Sequence, residues 1–212
     1  MQVGRLLNGV MAFCKWITHF ALLNLLWIGC TLLGGVVFGF APSTAAMYAV
    51  ARKQILTEDS PLFRTFWSIY RQEFFRANGL AWLLAAIGAI WYFDLHFFRE
   101  FEGWFYSLMN YIMIMIGLVY MILLMYILPV FVHYDLKIRG CIKQALIIGF
   151  LHPANLVLML VVGLSSYYFF IYFPGLIPLF GLTVFAHLNM WLSLKCFNQI
   201  EETKLTEKVA SP

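Results

Sequence analysis

From Ile17 to Phe40 the chain runs without a formal charge. That exceeds the ~20 apolar residues a helix needs to cross a ~30 Å hydrocarbon core. Four more stretches share this character: Leu80 to Phe93, usable if its helix begins near Ala77; Phe105 to Val132, with Pro129 near its end; Ala154 to Phe173; and Gly175 to Leu194. None alternates apolar and polar residues as a barrel strand does, and in lipid every backbone N–H and C=O must be paired within a helix or a closed barrel. The runs therefore predict an all-α, polytopic transmembrane helix bundle of five spans. Composition excludes an ordinary water-soluble enzyme: 63% of the 212 residues are hydrophobic and 11% charged, against about 25% charged in a soluble domain.

The basic residues predict an orientation, because Lys and Arg near span ends stay on the cytoplasmic side. Arg52, Lys53, Arg64, Arg71 and Arg76 lie between the first two spans, and Lys137, Arg139 and Lys143 follow the third. The tail carries Lys195, Lys204 and Lys208, whereas the second loop has Arg99 against Asp94, Glu100 and Glu102. This pattern places the first and third loops and the C-terminus inside, and five spans then leave the N-terminus outside. Six spans are the alternative, with the stretch from Ile17 to Val50 breaking at Gly34 and Gly35 to cross twice or dip and return. Residues 1–198 read as one membrane domain and 199–212 as a short, frayed polar tail. The small residues Thr44-Ala45-Ala46 do not make a secretory cleavage site, because the preceding apolar run far exceeds a ~7 to 15 residue signal core; it reads as a signal anchor.

Two polar connections predict amphipathic elbow helices on the cytoplasmic surface. Ser60-Pro61 supplies an N-cap and a proline at the first helical position. Beyond it, Phe63, Phe66, Trp67, Tyr70 and Phe74 recur at helical spacing, with Arg64, Ser68, Arg71 and Gln72 pointing elsewhere. Ile138, Ile142, Ala145, Leu146 and Gly149 form a second stripe, flanked by Lys137, Arg139 and Lys143 and ended by His152-Pro153. Each elbow follows a span with a proline near its inner end, Pro42 or Pro129, which suggests a parallel internal repeat.

The segment from Gly34 to Ala46 holds Gly34, Gly35, Gly39, Pro42, Ser43 and Thr44. Small residues let helix backbones approach closely, and broken helices also build transport sites. Close packing is the preferred reading and a substrate site the alternative.

Asn24-Leu25-Leu26-Trp27, Gly34 through Phe40, Ala41-Pro42-Ser43-Thr44-Ala45-Ala46-Met47-Tyr48, Phe63-Arg64-Thr65-Phe66 with Phe74, and the His152-Pro153 turn resemble the YesL-like family of small bacterial multi-pass proteins. The resemblance covers most of the chain. It implies a plasma-membrane protein from a Gram-positive bacterium, with an accessory role beside carbohydrate ABC importers and contact with their permease subunits. It brings no catalytic residues.

The residues themselves offer little chemistry. Between the interfaces there is no Asp or Glu of the kind that couples protons or cations in transporters, and no P-loop, Rossmann glycine pattern or H-E-x-x-H occurs. No E-A-A…G coupling loop marks a permease either. His19, His187 and His133 prompt the question of a haem clamped between helices, but lone intramembrane histidines more often bond neighbouring helices. Asn24, Asn110, Asn155, Asn189, Ser165 and Ser166 read likewise as ties between helices. Cys14, Cys30, Cys141 and Cys196 lack C-x-x-C spacing and read as packing thiols. No cofactor or metal is expected. The net charge of +4 suits anionic lipid and calls for no nucleic acid. Three functions follow: an importer accessory or regulatory subunit, which is preferred; a small-solute facilitator using the break from Gly34 to Ala46; and a membrane enzyme or haem protein.

Overall fold

The computed structural model describes residues 2–56 and 61–210. It contains eight α-helices among the described residues: α1 Gln2–Leu33, α2 Val37–Ile55, α3 Leu62–Gln72, α4 Phe74–Glu100, α5 Trp104–His133, α6 Ile138–Leu151, α7 Pro153–Tyr172 and α8 Ile177–Ala210, the last preceded by a 3-10 turn, Pro174–Leu176. Five segments are long and apolar enough to cross a membrane: Cys14–Leu33, Phe74–Glu100, Trp104–His133, Pro153–Tyr172 and Pro174–Glu202. The chain is a multi-pass membrane protein built as an all-α bundle. The large apolar side chains exposed along these helices, Phe75, Trp104 and Tyr172 among them, suit lipid contact.

The first run departs from the expected continuous span. It breaks after Leu33, where Gly35 has φ +71° and Val36 φ 61°, and the Val37 N–H donates to the Gly35 carbonyl at 2.7 Å. With ψ at −63°, Val36 holds the rare γ-turn geometry, strained for an L-residue. α2 then folds back along α1: the Trp27 indole N–H donates to Thr44 Oγ1 at 3.0 Å, and a Cβ on Gly39 would fall 2.3 Å from the Thr31 carbonyl oxygen. This is the break at Gly34 and Gly35 that the six-span alternative invoked.

α2 is the hub of the bundle. It packs against α1, α3, α4, α5 and α8, and every residue from Ala41 to Ala51 is buried. Its Ala, Ser and Thr side chains make that possible, since small residues allow five neighbours to approach. α4 and α5 form an antiparallel hairpin in which each helix lays an aromatic ring over a glycine of the other. A Cβ on Gly117 would meet the Trp91 ring at 2.4 Å, and one on Gly88 the Tyr120 hydroxyl at 2.7 Å. Trp91 Nε1–H donates to the Met113 carbonyl at 2.7 Å and the Tyr120 hydroxyl to that of Leu84 at 2.9 Å.

The elbows form as expected, as α3 and α6, each packed on the helix before it. Pro153 opens α7 at its first turn. The cap expected from Ser60 lies outside the described residues, and Pro61, expected at the first helical position, instead takes the N-cap position with extended backbone (φ −63°, ψ 118°) ahead of Leu62. Pro42 sits in the second turn of α2 and Pro129 in the last turns of α5, so the two prolines differ in their place relative to the elbows. The residues expected as a frayed polar tail continue α8 as far as Ala210.

Candidate functional site

The break from Gly34 to Thr44 is a packing joint in this structure. A Cβ on Gly34 would lie 2.3 Å from the Gly39 Cα, so the two backbones touch and no side chain fits between them. Gly35 faces open space and supplies the turn through its positive φ. Ser43 is buried, and the Thr44 hydroxyl donates back to the Phe40 carbonyl at 2.7 Å while accepting from Trp27. Tyr70 of α3 locks the joint by donating to the Cys30 carbonyl at 3.1 Å.

The α3 stripe divides into two faces. Phe66 and Tyr70 are buried in the bundle, whereas Phe63, Arg64, Trp67 and Arg71 are exposed and together line a shallow open surface with Ser68 and Gln72. Trp67 stacks on Tyr70 at 5.6 Å, which links the outer face to the buried one. Phe74 belongs to α4 and packs partly buried against the core. On α6, Cys141, Ala145, Ile148 and Gly149 are buried, while Lys137, Arg139 and Lys143 are exposed. α3 packs on α1, α2 and α4, and α6 on α5 and α7.

Where α2, α4 and α5 converge, the structure holds a feature the sequence did not announce. An apolar cleft of about 280 Å³ lies between them, lined by Ala41, Thr44, Ala45, Leu80, Leu84 and Leu128 among others. Beside it lies a polar mouth of about 310 Å³, and the two linings have Ala45 and Phe131 in common. Arg52, Lys53, Glu73, Arg76, His133 and Asp135 line that mouth. Arg76 bridges Glu73 at 3.4 Å and Asp135 at 3.2 Å, donates to the Leu136 carbonyl, and lies 4.9 Å from the centre of the Phe131 ring. Arg52 Nε donates to His133 Nδ1 at 3.1 Å. That fixes the His133 proton on Nε2, which faces Glu201 Oε1 at 3.6 Å. The ends of α2 and α5 and the Glu201 region of α8 are thus tied in one chain of contacts. Sequence reasoning used Arg52, Lys53 and Arg76 only as markers of sidedness; no signal along the chain placed them around one opening.

Just outside the spans, burial pushes the Cys141 thiol above its ordinary range, and its S–H donates to the Leu136 carbonyl at 3.4 Å. Burial, with the Glu201 carboxylate nearby, likewise raises Tyr134. All four cysteines are free.

Of the asparagines expected to tie helices, three do so. Asn24 donates to the carbonyls of Ile177 and Pro178 at 3.0 and 2.8 Å and accepts from Thr183 at 3.1 Å. Asn155 donates to Cys196 Sγ and Asn189 to the Met125 carbonyl. Asn110 does not conform, its buried Oδ1 having no partner. Asn78, not anticipated, donates to the Phe38 carbonyl at 2.9 Å. Ser165 and Ser166 line a surface hollow beside Trp16 and Ile17. His19 and His187 flank the ring of Phe20 at 6.5 and 5.0 Å, and no group of three or more His, Cys, Asp or Glu side chains among the described residues is arranged to hold a metal ion.

Residues 20–95 match the family described as "Protein of unknown function, DUF624". Across most of its length the chain is similar to three proteins of Bacillus subtilis (strain 168), each described as uncharacterized. YteU is 34% identical over 95% of this chain and 89% of its own length. YesV is 37% identical over 92% and 94%, and YesL 29% identical over 99% and 100%. No solved structure matches.

Proposed function

We propose, on the premise that the chain belongs to the YesL-like family described by DUF624, that this multi-pass membrane protein works by contact rather than catalysis. It is a non-enzymatic accessory or regulatory subunit of a carbohydrate ABC importer, resting against the permease subunits. The observation that carries the contact reading is the outer face of α3. Phe63 and Trp67 are exposed beside Arg64 and Arg71, with Trp67 stacked on the buried Tyr70, and an aromatic-arginine face of this kind is the composition of an interaction anchor. The importer is the partner that the family resemblance implies.

The test is capture from the native membrane. A tagged chain extracted in mild detergent after crosslinking brings down permease subunits, and a chain with Phe63→Ser and Trp67→Ser does not. Recovery of the wild-type chain without any importer component would refute the importer assignment.

The facilitator reading, with a solute path through the break from Gly34 to Ala46, has less support because the Gly34 and Gly39 backbones are in contact there. Solute flux into liposomes holding the chain alone would revive it.

For orientation, the mouth residues Arg52, Arg76 and His133 gather at one end of the bundle with Glu201, and the positive-inside rule assigns that end to the cytoplasm in the plasma membrane. Because α2 folds back along α1 and ends at Arg52, the hairpin favours a cytoplasmic Met1 over the outer position that charge counting alone gave.

A further inference from the structure

We infer that the α2–α4–α5 cleft and its basic mouth form a binding site for one anionic phospholipid, with an acyl chain in the cleft and the phosphate between Arg52 and Lys53. The linings of the two cavities share Ala45 and Phe131, so the apolar cleft lies directly beside the charged mouth. Together they fall within the ~300–1,000 Å³ of small-molecule sites, and an amphiphile is the ligand that matches both chemistries at once.

Charge selects the head. Glu73 and Asp135 are both taken by Arg76. Arg52 and Lys53 have no carboxylate partner among the described residues. The Nε of Arg52 is committed to His133, which orients its guanidinium, and among the described residues the terminal nitrogens have no acceptor, so they can meet phosphate oxygens in the forked geometry Arg uses for phosphate. Basic pockets between membrane helices recognise anionic headgroups in this way.

The tail has its own signature. Ala41, Ala45, Ala77, Ala81 and Ala85 line the cleft where larger residues would close it. Phe40 and Leu124 on its rim are exposed, so the opening lies on the surface that meets lipid. A soluble anion would have no use for this half of the site.

The full chain is reconstituted in phosphatidylcholine vesicles holding a trace of phosphatidylglycerol with a photoreactive acyl chain, or of phosphatidylcholine with the same chain, and labelled peptides are mapped. The anionic probe labels Leu80, Leu84 and Leu128 roughly thirtyfold more than the zwitterionic probe does, the contrast expected for two basic groups at a headgroup. Lys53→Gln, which removes no bond to a described residue, lowers that preference about fivefold. Ala81→Leu, which fills the cleft, reduces cleft labelling by both probes while leaving the thermal transition in place. Equal labelling by the two probes, or labelling spread evenly over the outer faces of α5 and α7, overturns the site. A cleft labelled by neither probe while inorganic phosphate binds at the mouth overturns the lipid as its occupant.

Discussion

The side-chain amide of Asn78 donates at 2.9 Å to the carbonyl of Phe38, the acceptor that Pro42 leaves empty four residues further along α2. Proline has no N–H to close that helical bond. The pattern recurs in α5: Pro129 strands the carbonyl of Met125, and Asn189 of α8 donates to it at 3.3 Å. Asn78→Leu therefore lowers stability by about 0.6 kcal/mol and at most about 1.7, the values double-mutant cycles give for interhelical hydrogen bonds in membranes. In a Pro42→Ala background, where the helix supplies its own N–H, the same change costs less. A double-mutant cycle read by thermal denaturation in detergent checks this; simple additivity would show that the amide and the proline are unrelated.

Val36→Gly stabilises the chain. Val36 occupies the left-handed region at φ 61°, which costs a β-branched residue on the order of 1–3 kcal/mol, and its side chain is exposed, so little packing is lost. Glycine's greater freedom in the unfolded chain offsets about 0.4–1 kcal/mol of that. A net gain near 1 kcal/mol is the expected shift in the unfolding midpoint.

Arg76 and Asp135 contribute unequally although they form one ion pair. The Asp135 side chain is fully exposed, and such pairs contribute little, so Asp135→Asn leaves the melting temperature unchanged. Arg76→Ala also strips the Leu136 carbonyl of its donor and uncovers Phe131, at a cost of about 1–3 kcal/mol. Equal losses from the two variants would contradict this division.

The two faces of α3 separate stability from association. Phe66→Ala, at a side chain 1% exposed, costs about 3–5 kcal/mol and lowers yield. Phe63→Ser with Trp67→Ser leaves the melting temperature within a degree or two and removes partner capture. Loss of both properties in the second variant would return Phe63 and Trp67 to the core.

An epitope at Met1 and one after Pro212 are expected on the same, cytoplasmic side. Protease protection in right-side-out vesicles reads both at once. Digestion of the Met1 epitope from outside would show that α1 and α2 do not turn back as a hairpin in the membrane.

The long helices were legible because lipid demands length and apolarity, and Leu80 to Phe93 or Ala154 to Phe173 can satisfy it in no other way. His152-Pro153 and the α6 stripe were legible for a similar reason: proline chemistry and helical spacing act locally. The turn after Leu33 was not, since hydropathy stays high through Gly34-Gly35-Val36 and a β-branched residue is a poor advertisement for positive φ. Nor did the sequence show which aromatics of α3 face inward. Aromatic residues occur on both faces of α3, so Phe63 and Phe66 look alike until their neighbours are known. The mouth around Arg52 and Arg76 draws on α2, α3, α4 and α5, and a juxtaposition of distant segments leaves no local pattern.

Asn24 meets its acceptors 153 and 154 residues away, on Ile177 and Pro178, which gives assembly an order in time. While the ribosome is still making the middle of the protein, α1 stands in the bilayer with a bare amide, and the α4–α5 hairpin can already close on its own neighbouring contacts. Only the last helix to emerge relieves the first. A nascent chain that stops short of Ile177 thus carries an exposed polar flag in lipid, and the finished one has hidden it.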